Sequence, residues 1–453
     1  MIDGCSDVRH PVQPYGVSRA RSHSRLHHRW RAMLAASTCS LTVLALLGCA
    51  TPRRAAPPTV LSSAAPVGFP ADVRFLSSDR ASVEKRSTAN LQRLRASSKD
   101  GIVRALVISG GGAGGAFGAG ALVGLSRAHD RPQYDIVTGV SAGALIAPFA
   151  FLGPEWDAEL TEAVSSVRGE ELSVHGLLSL PFGSSRRSAD LAALVDRYIT
   201  PDLIKAVADA AATGRILWVA TTDLDKEEAV IWDMGAIAAR GGEPGRKLFR
   251  DVLVASASIP GVFAPVLIHV QQGGNLYDEM HVDGNASTSL FVAPLAAYFV
   301  KLDQRSLEGS RIYVLINGQL IDAPETTPVK LGAIVTRTFS VALRYMSRAQ
   351  AIAVDQFADK YRMSVRSTYL PFDYPKYSPA DFRAATMRRL FDYGARCAES
   401  RRLWTTMDET LATFAAAASS AQPTLPEPQI ECPLRNSPFV STTQATEAGN
   451  NGE

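Results

Sequence analysis

Ser141 stands in the stretch "VTGVSAGALIAPF" (137–149), inside Gly139-Val140-Ser141-Ala142-Gly143. An apolar run precedes it and a small-residue run comes after, the pattern of a strand-to-helix turn that presents a nucleophile. Such a turn is strained, and Gly139 and Gly143 permit the close approach it needs. The next helix would point its N-terminus at Ser141 and favour negative charge there. A hydroxyl is a weak nucleophile at its ordinary pKa, so a base is required. One strand-helix unit upstream lies Ser109-Gly110-Gly111-Gly112-Ala113-Gly114-Gly115. Its glycines allow a tight turn whose N–H groups can hold an anion. That anion is either a bound phosphate or the oxyanion of an acyl transfer. No Gly-Lys-Ser/Thr is present in the loop, which excludes a P-loop. A dinucleotide site would need a ribose-binding acid about 20 residues on. Asp130 and Asp135 lie there, but the next unit is the serine turn.

The base is the open question. Beyond residue 48 the only histidines are His129, His175, His269 and His281. His129 closes the first predicted helix, where a cation suits the helix dipole. His175 and His269 fall in no recognisable motif. His281 lies two residues before Asp283 in "HVDGN" (281–285). If 279–283 is extended, both side chains share one face. A histidine-assisted mechanism and a direct Asp283 base both remain possible on this reading. Desolvation would raise the carboxylate's pKa and improve its match to a serine. A triad in the order serine, acid, histidine needs a histidine after its acid; none lies beyond His281, so that order fails unless an acid such as Asp223 serves.

The elements that must hold these residues alternate. Apolar runs at 102–109, 134–139, 215–222, 228–233, 265–270 and 311–318 read as strands. Helices are expected at 81–96, 116–129, 141–153, 189–197, 201–212, 245–256, 330–358 and within 379–415. Strand, helix, strand, helix in that order gives an α/β class with a mostly parallel central sheet covered by helices.

The chain has 453 residues, 46% apolar and 20% charged, enough for a sizeable core. Its net charge of +3 comes from the first 48 residues, which hold six Arg and two Asp. The remainder carries 41 basic against 42 acidic residues, so charge gives no argument for a nucleic-acid partner. The early arginines precede a short apolar run, Leu41–Leu47, and then small residues, which reads as an export signal over 1–48. Leu46-Leu47-Gly48-Cys49 resembles the bacterial lipobox, which implies acylation of Cys49 and a tether to the cell envelope. Ala50 after that cysteine points to the outer membrane. Residues 49–100 are expected to form a lipid-anchored flexible linker, 101–415 the catalytic domain, and 416–453 a disordered tail. Cys397 and Cys432 are then the remaining pair in an oxidising compartment, where a disulfide is expected. No His/Cys cluster calls for a metal, and no cofactor is expected.

Taken in order, "SGGGAGGAF", "GVSAG", "TTDLDKEEAVIWD", "SASIPGVFAPV" and "VDG" resemble the patatin-like phospholipase family over most of 102–290. The resemblance implies a three-layer α/β/α fold and a Ser-Asp dyad without a catalytic histidine. It makes Ser141 the nucleophile and Asp283 the base. It makes Gly110, Gly111, Gly112, Ala113, Gly114 and Gly115 the oxyanion-hole loop, with the backbone N–H groups around Gly111 and Gly112 as the expected donors and Gly139, Gly143 and Gly284 as support. It implies a membrane lipid or other acyl ester as substrate. Two positions depart from the family pattern. Gly114 stands where the family loop carries Arg or Lys, and Asn285 stands where Gly or Ala comes after the Asp-Gly. The alternative reading is a weakly active or silent lipid-binding lipoprotein on the same fold.

Overall fold

The computed structural model describes residues 53–57, 64–98, 100–166, 185–322, 325–410 and 430–434. The expected signal, Cys49, His175 and residues 435–453 lie outside them. Met1–Arg54 and Ala55–Glu453 separate into two units, and all the elements named here belong to the second.

In chain order its elements are β1 (Ala65–Pro66), β2 (Arg74–Leu76), α1 (Arg80–Ser97), β3 (Arg104–Ile108) and α2 (Gly115–Arg127). Next come β4 (Ile136–Val140), α3 (Ala142–Leu152), α4 (Asp157–Ser165), α5 (Ser185–Tyr198) and α6 (Pro201–Ala212). Then come β5 (Ile216–Asp223), β6 (Glu228–Asp233), α7 (Met234–Ala239), α8 (Gly242–Ser256), β7 (Val266–Gln272) and β8 (Asn275–Asp283). The last are β9 (Arg311–Gln319), α9 (Leu331–Lys360), β10 (Ser364–Leu370) and α10 (Ala384–Glu399).

The middle of the sheet is parallel, in the order β10-β9-β3-β4-β5. β3 and β4 are buried on both faces, as their continuous apolar runs require. Side chains alternate between two cores. Leu106 and Ile108 face one that contains residues of α2, α3, α6, α8 and α10. Ala105 and Val107 face another built with α9. Helices therefore cover both faces, which gives three layers.

Antiparallel strands complete the sheet, and their register brings distant segments together. β4 pairs with the first part of β5, ending at Val140 opposite Ala220. β6 pairs with β5 along its other edge, with Trp218 opposite Asp233 and Asp223 opposite Glu228. β8 pairs with Thr221–Asp223, placing Asp283 opposite Thr221. Residues 218–220 already have β4 on one edge and β6 on the other. Residues 221–223 have β6 and β8, so β8 takes up the edge of β5 that β4 has just left. The chain ends of β4 and β8 thus meet along one strand.

Two expected boundaries need correction. The linker read over 49–100 contributes structure from Ala64 onward. β1 pairs with β7 and β2 with β6, while Val83 and Leu94 of α1 are buried. The charged, serine-rich composition of this stretch hides the few apolar residues that dock it. The tail read from 416 returns to the domain at 430–434. Cys397 and Cys432 are joined by a disulfide, and Ile430 and Leu434 are buried beside it. Tyr393 Oη donates to the Glu431 carbonyl at 2.8 Å. β8, β10 and the short helices α4 and α7 have no counterpart among the expected elements; β8, polar along much of its length, shows no continuous apolar run, and the others are weakly patterned.

Candidate active site

Ser141 sits between β4 and α3 with φ 54° and ψ −125°, a left-handed φ that a serine adopts only under constraint. The turn is held by its surroundings. The Ser141 N–H donates to Ser256 Oγ at 2.9 Å, and Ser256 Oγ donates to the Ala220 carbonyl at 2.7 Å. Side chains are also barred on both sides of the turn. A Cβ at Gly143 would lie 2.4 Å from the Ile108 carbonyl oxygen, and one at Gly139 would lie 2.6 Å from that of Gly143. The α3 N-terminus then faces the serine, where its dipole favours an anion.

Asp283 is the last residue of β8 and is brought to the serine by the shared edge of β5. Ser141 Oγ donates to Asp283 Oδ2 at 2.6 Å. The other oxygen, Oδ1, accepts from the Asn285 N–H at 2.8 Å. Both Ser141 and Asp283 are buried. Burial pushes the Asp283 carboxyl up to about 7, although the bonds from Ser141 and Asn285 work in the opposite direction. Gly284 is needed because a Cβ there would press to 2.6 Å from the Ala220 carbonyl oxygen.

His281 is not brought to Ser141. Its Nδ1 lies 3.0 Å from Thr221 Oγ1, and its Nε2 lies 3.4 Å from Glu279 Oε2. Its ring meets Trp232 edge-on, and burial holds its pKa below the usual value. Asp223, Glu279 and His281 are close enough to suggest a metal site. Cations of the chain already fill that role. Lys226 Nζ donates to Asp223 at 2.8 Å and to Glu279 at 2.5 Å, and Arg74 pairs with Glu279 as well. His269 pairs with Asp278 at 2.7 Å, and His129 lies just past the end of α2 at a positive φ.

Most amides of the glycine loop are already engaged. The Gly110 N–H donates to Ser289, that of Ala113 to Pro379, and that of Gly114 to Gly111. The Gly115 N–H is directed at the carbonyls of Gly112 and Ala113. Among the described residues, only the Gly111 and Gly112 amides in this loop have no protein acceptor. The other four positions of the loop use their amides to hold its shape.

The departures at Gly114 and Asn285 have physical counterparts. A Cβ at Gly114 would fall 2.0 Å from the Asn317 carbonyl oxygen and 2.6 Å from the Tyr377 hydroxyl. Tyr377 and β9 occupy the space a longer side chain would take. The Asn285 side chain fills the space beside Gly110, where a Cβ would lie 2.1 Å from Nδ2. Sequence reasoning passed over Ser256 and Asn317. Asn317 donates to the Ser109 carbonyl at 2.7 Å and so anchors the loop's start. Ser256 opens the quoted "SASIPGVFAPV" motif, which was its one signal.

From Ser141 a cavity runs between helices. Gly112, Ala142, Leu145, Phe149, Leu194 and Phe263 are among its walls, and the lining is almost wholly apolar. It suits a hydrocarbon chain better than a polar substrate.

Residues 106–295 match the model of the patatin-like phospholipase family. Two solved structures align with part of the chain. VipD from Legionella pneumophila is 13% identical, with a TM-score of 0.29 over 66% of this chain and 67% of that one. Human GIVD cytosolic phospholipase A2, in complex with methyl gamma-linolenyl fluorophosphonate, is 11% identical, with a TM-score of 0.29. The alignment with it covers 73% of this chain and 64% of that one. No curated protein matches the sequence.

Proposed function

We propose that the protein is a lipid acyl hydrolase of phospholipase A type that works through a Ser141–Asp283 dyad. The observation that carries this is the 2.6 Å hydrogen bond between a strained, buried serine and a carboxyl raised to about 7. Ser141 Oγ attacks the ester carbonyl as Asp283 takes its proton. The oxyanion settles against the Gly111 and Gly112 amides. The alcohol leaves with the proton, and water activated by Asp283 then releases the fatty acid from the serine. The apolar cavity takes the acyl chain. Acylation of Cys49 after export would hold the enzyme at the envelope, with the outer membrane as the favoured site, and raise its local concentration of phospholipid.

Labelling with a serine-reactive fluorophosphonate tests the reading. Wild type should label at Ser141 and hydrolyse a soluble short-chain ester, and Ser141→Ala should do neither. Full turnover by Ser141→Ala would overturn it. Labelling and turnover both absent from the folded wild type would favour the silent lipid-binding reading.

A further inference from the structure

Helix α9 runs for 30 residues, yet its first buried residue is Ala351. The preceding portion, from Leu331 to Gln350, is about 30 Å long. It carries exposed Leu331, Ile334, Val335, Phe339, Val341 and Tyr345, with Leu331 at 74% and Tyr345 at 64% exposure. Spacings of three, four and seven put most of these on one face. A continuous apolar stripe of this kind is uncommon on a surface unless it binds something. No Asp or Glu occurs between Glu325 and Asp355. Around the stripe stand Lys330, Arg337, Arg344, Arg348 and Lys376, against two carboxylates, Asp322 and Glu325. No helix among the described residues is long and apolar enough to cross a membrane.

The exposed half also stands beside the catalytic end of the sheet. Ser347 and Gln350 hold Ser289, whose carbonyl accepts from the Gly110 N–H. Arg337 and Lys376 share Glu325, which ties the helix to the segment 376–382. In that segment Pro379 receives the Ala113 N–H, and Phe382 lines the acyl cavity. A surface that engaged the stripe would therefore lie near the segment that supplies Phe382 to the cavity wall.

We propose that Leu331–Tyr345 of α9 is an interfacial docking helix, which lays its apolar stripe into a phospholipid bilayer containing anionic lipid. The net positive charge around the stripe matches an anionic headgroup layer, and apolar residues beside cations are what such helices present. The choice of a bilayer as partner rests on the lipid-hydrolase reading.

The test uses the full chain carrying Cys49→Ala, so that no acyl anchor contributes. This parent should sediment with phosphatidylglycerol/phosphatidylcholine vesicles, and less with pure phosphatidylcholine. Val335→Asp/Phe339→Asp should lower its partition onto the anionic vesicles by about tenfold or more. The same variant should hydrolyse a soluble short-chain ester at the parent's rate, which also reports that it is folded. Equal sedimentation of parent and variant would overturn the proposal. So would a parent dimer that the variant dissolves without change in vesicle binding, since the stripe would then be an interface between copies. If vesicle binding behaves as expected but no protein turns over ester, the hydrolase reading fails and the docking surface stands, with circular dichroism reporting the fold.

Discussion

At the scale of the residue, the proposed Ser141–Asp283 dyad depends on one carboxyl held in an unusual state. Asp283 must be ionised to take the proton from Ser141, and its pKa lies near 7 because it is buried. Hydrolysis of a soluble ester should therefore rise with pH through about 7 and level off above it. Asp283→Asn removes the base and should cost on the order of 10²- to 10⁴-fold in kcat/KM. The same burial predicts a stability effect of opposite sense. Between the ordinary carboxyl pKa and about 7, the folded state keeps a proton that the unfolded chain has lost. Stability should thus fall as pH rises through that window and change no further above it. Asp283→Asn should escape this fall. Its stability should gain on that of wild type between about pH 5 and about pH 8, by up to about 3 kcal/mol, read as a rise in relative melting temperature. A constant difference across that range would show that burial does not raise the Asp283 carboxyl. His281→Ala, in contrast, should keep phosphonate labelling of Ser141, because its ring is engaged by Thr221 and Glu279. Loss of labelling in a folded His281→Ala protein would return the histidine to the mechanism.

At the scale of the element, the oxyanion loop is shaped by what packs around it. β9 and the 374–379 segment press on the loop so closely that Gly114 has no room for a side chain. Restoring the basic residue that the family pattern carries there should not improve this enzyme. Gly114→Arg would have to displace the Asn317 backbone and Tyr377. A loss of stability of about 2 kcal/mol or more, with little ester hydrolysis left, is expected. Measured turnover and denaturant midpoints would decide, and a stable, more active variant would show that Tyr377 yields readily. β8 is a second case of position deciding function. It supplies Asp283 at its end and, two and four residues earlier, His281 and Glu279 of the buried polar network. Arg74 of β2 reaches that network too, so the N-terminal segment is fastened to the strand that carries the dyad acid.

At the scale of the whole molecule, two stretches that look like loose ends are parts of the domain. The segment 64–97 adds β1, β2 and α1, and 430–434 is bonded back through Cys397–Cys432. The bridge closes a sequence separation of 35, which in the chain-entropy picture is worth about 3–4 kcal/mol. Cys397→Ser/Cys432→Ser should lower the unfolding midpoint accordingly while leaving ester hydrolysis at low temperature near the wild-type rate.

Much of this is written in the order of residues. Apolar runs bounded by glycine determine β3 and β4, and the small residues after Ser141 determine α3, because these signals are local and strong. They place the serine turn and the glycine loop in adjacent units without any tertiary information. β10 and α4 were not legible, since brief elements take their conformation from neighbours more than from their own pattern. The choice of base was also beyond local reading. His281 and Asp283 lie on the same strand and share a face, so periodicity alone cannot separate them. What separates them is the pairing register. β8 joins β5 where β4 leaves off, setting Asp283 opposite Thr221 and next to the end of β4. His281 lies two positions further along the same edge, opposite Asp223. The sequence by itself determined a candidate nucleophile, a candidate loop for the oxyanion and the elements that carry them. The resemblance pointed to Asp283 and to the amides around Gly111 and Gly112; what the tertiary structure adds is the contact itself, Asp283 rather than His281 against Ser141 and, among the described residues, those two amides without a protein acceptor, because both depend on contacts between segments far apart in the chain.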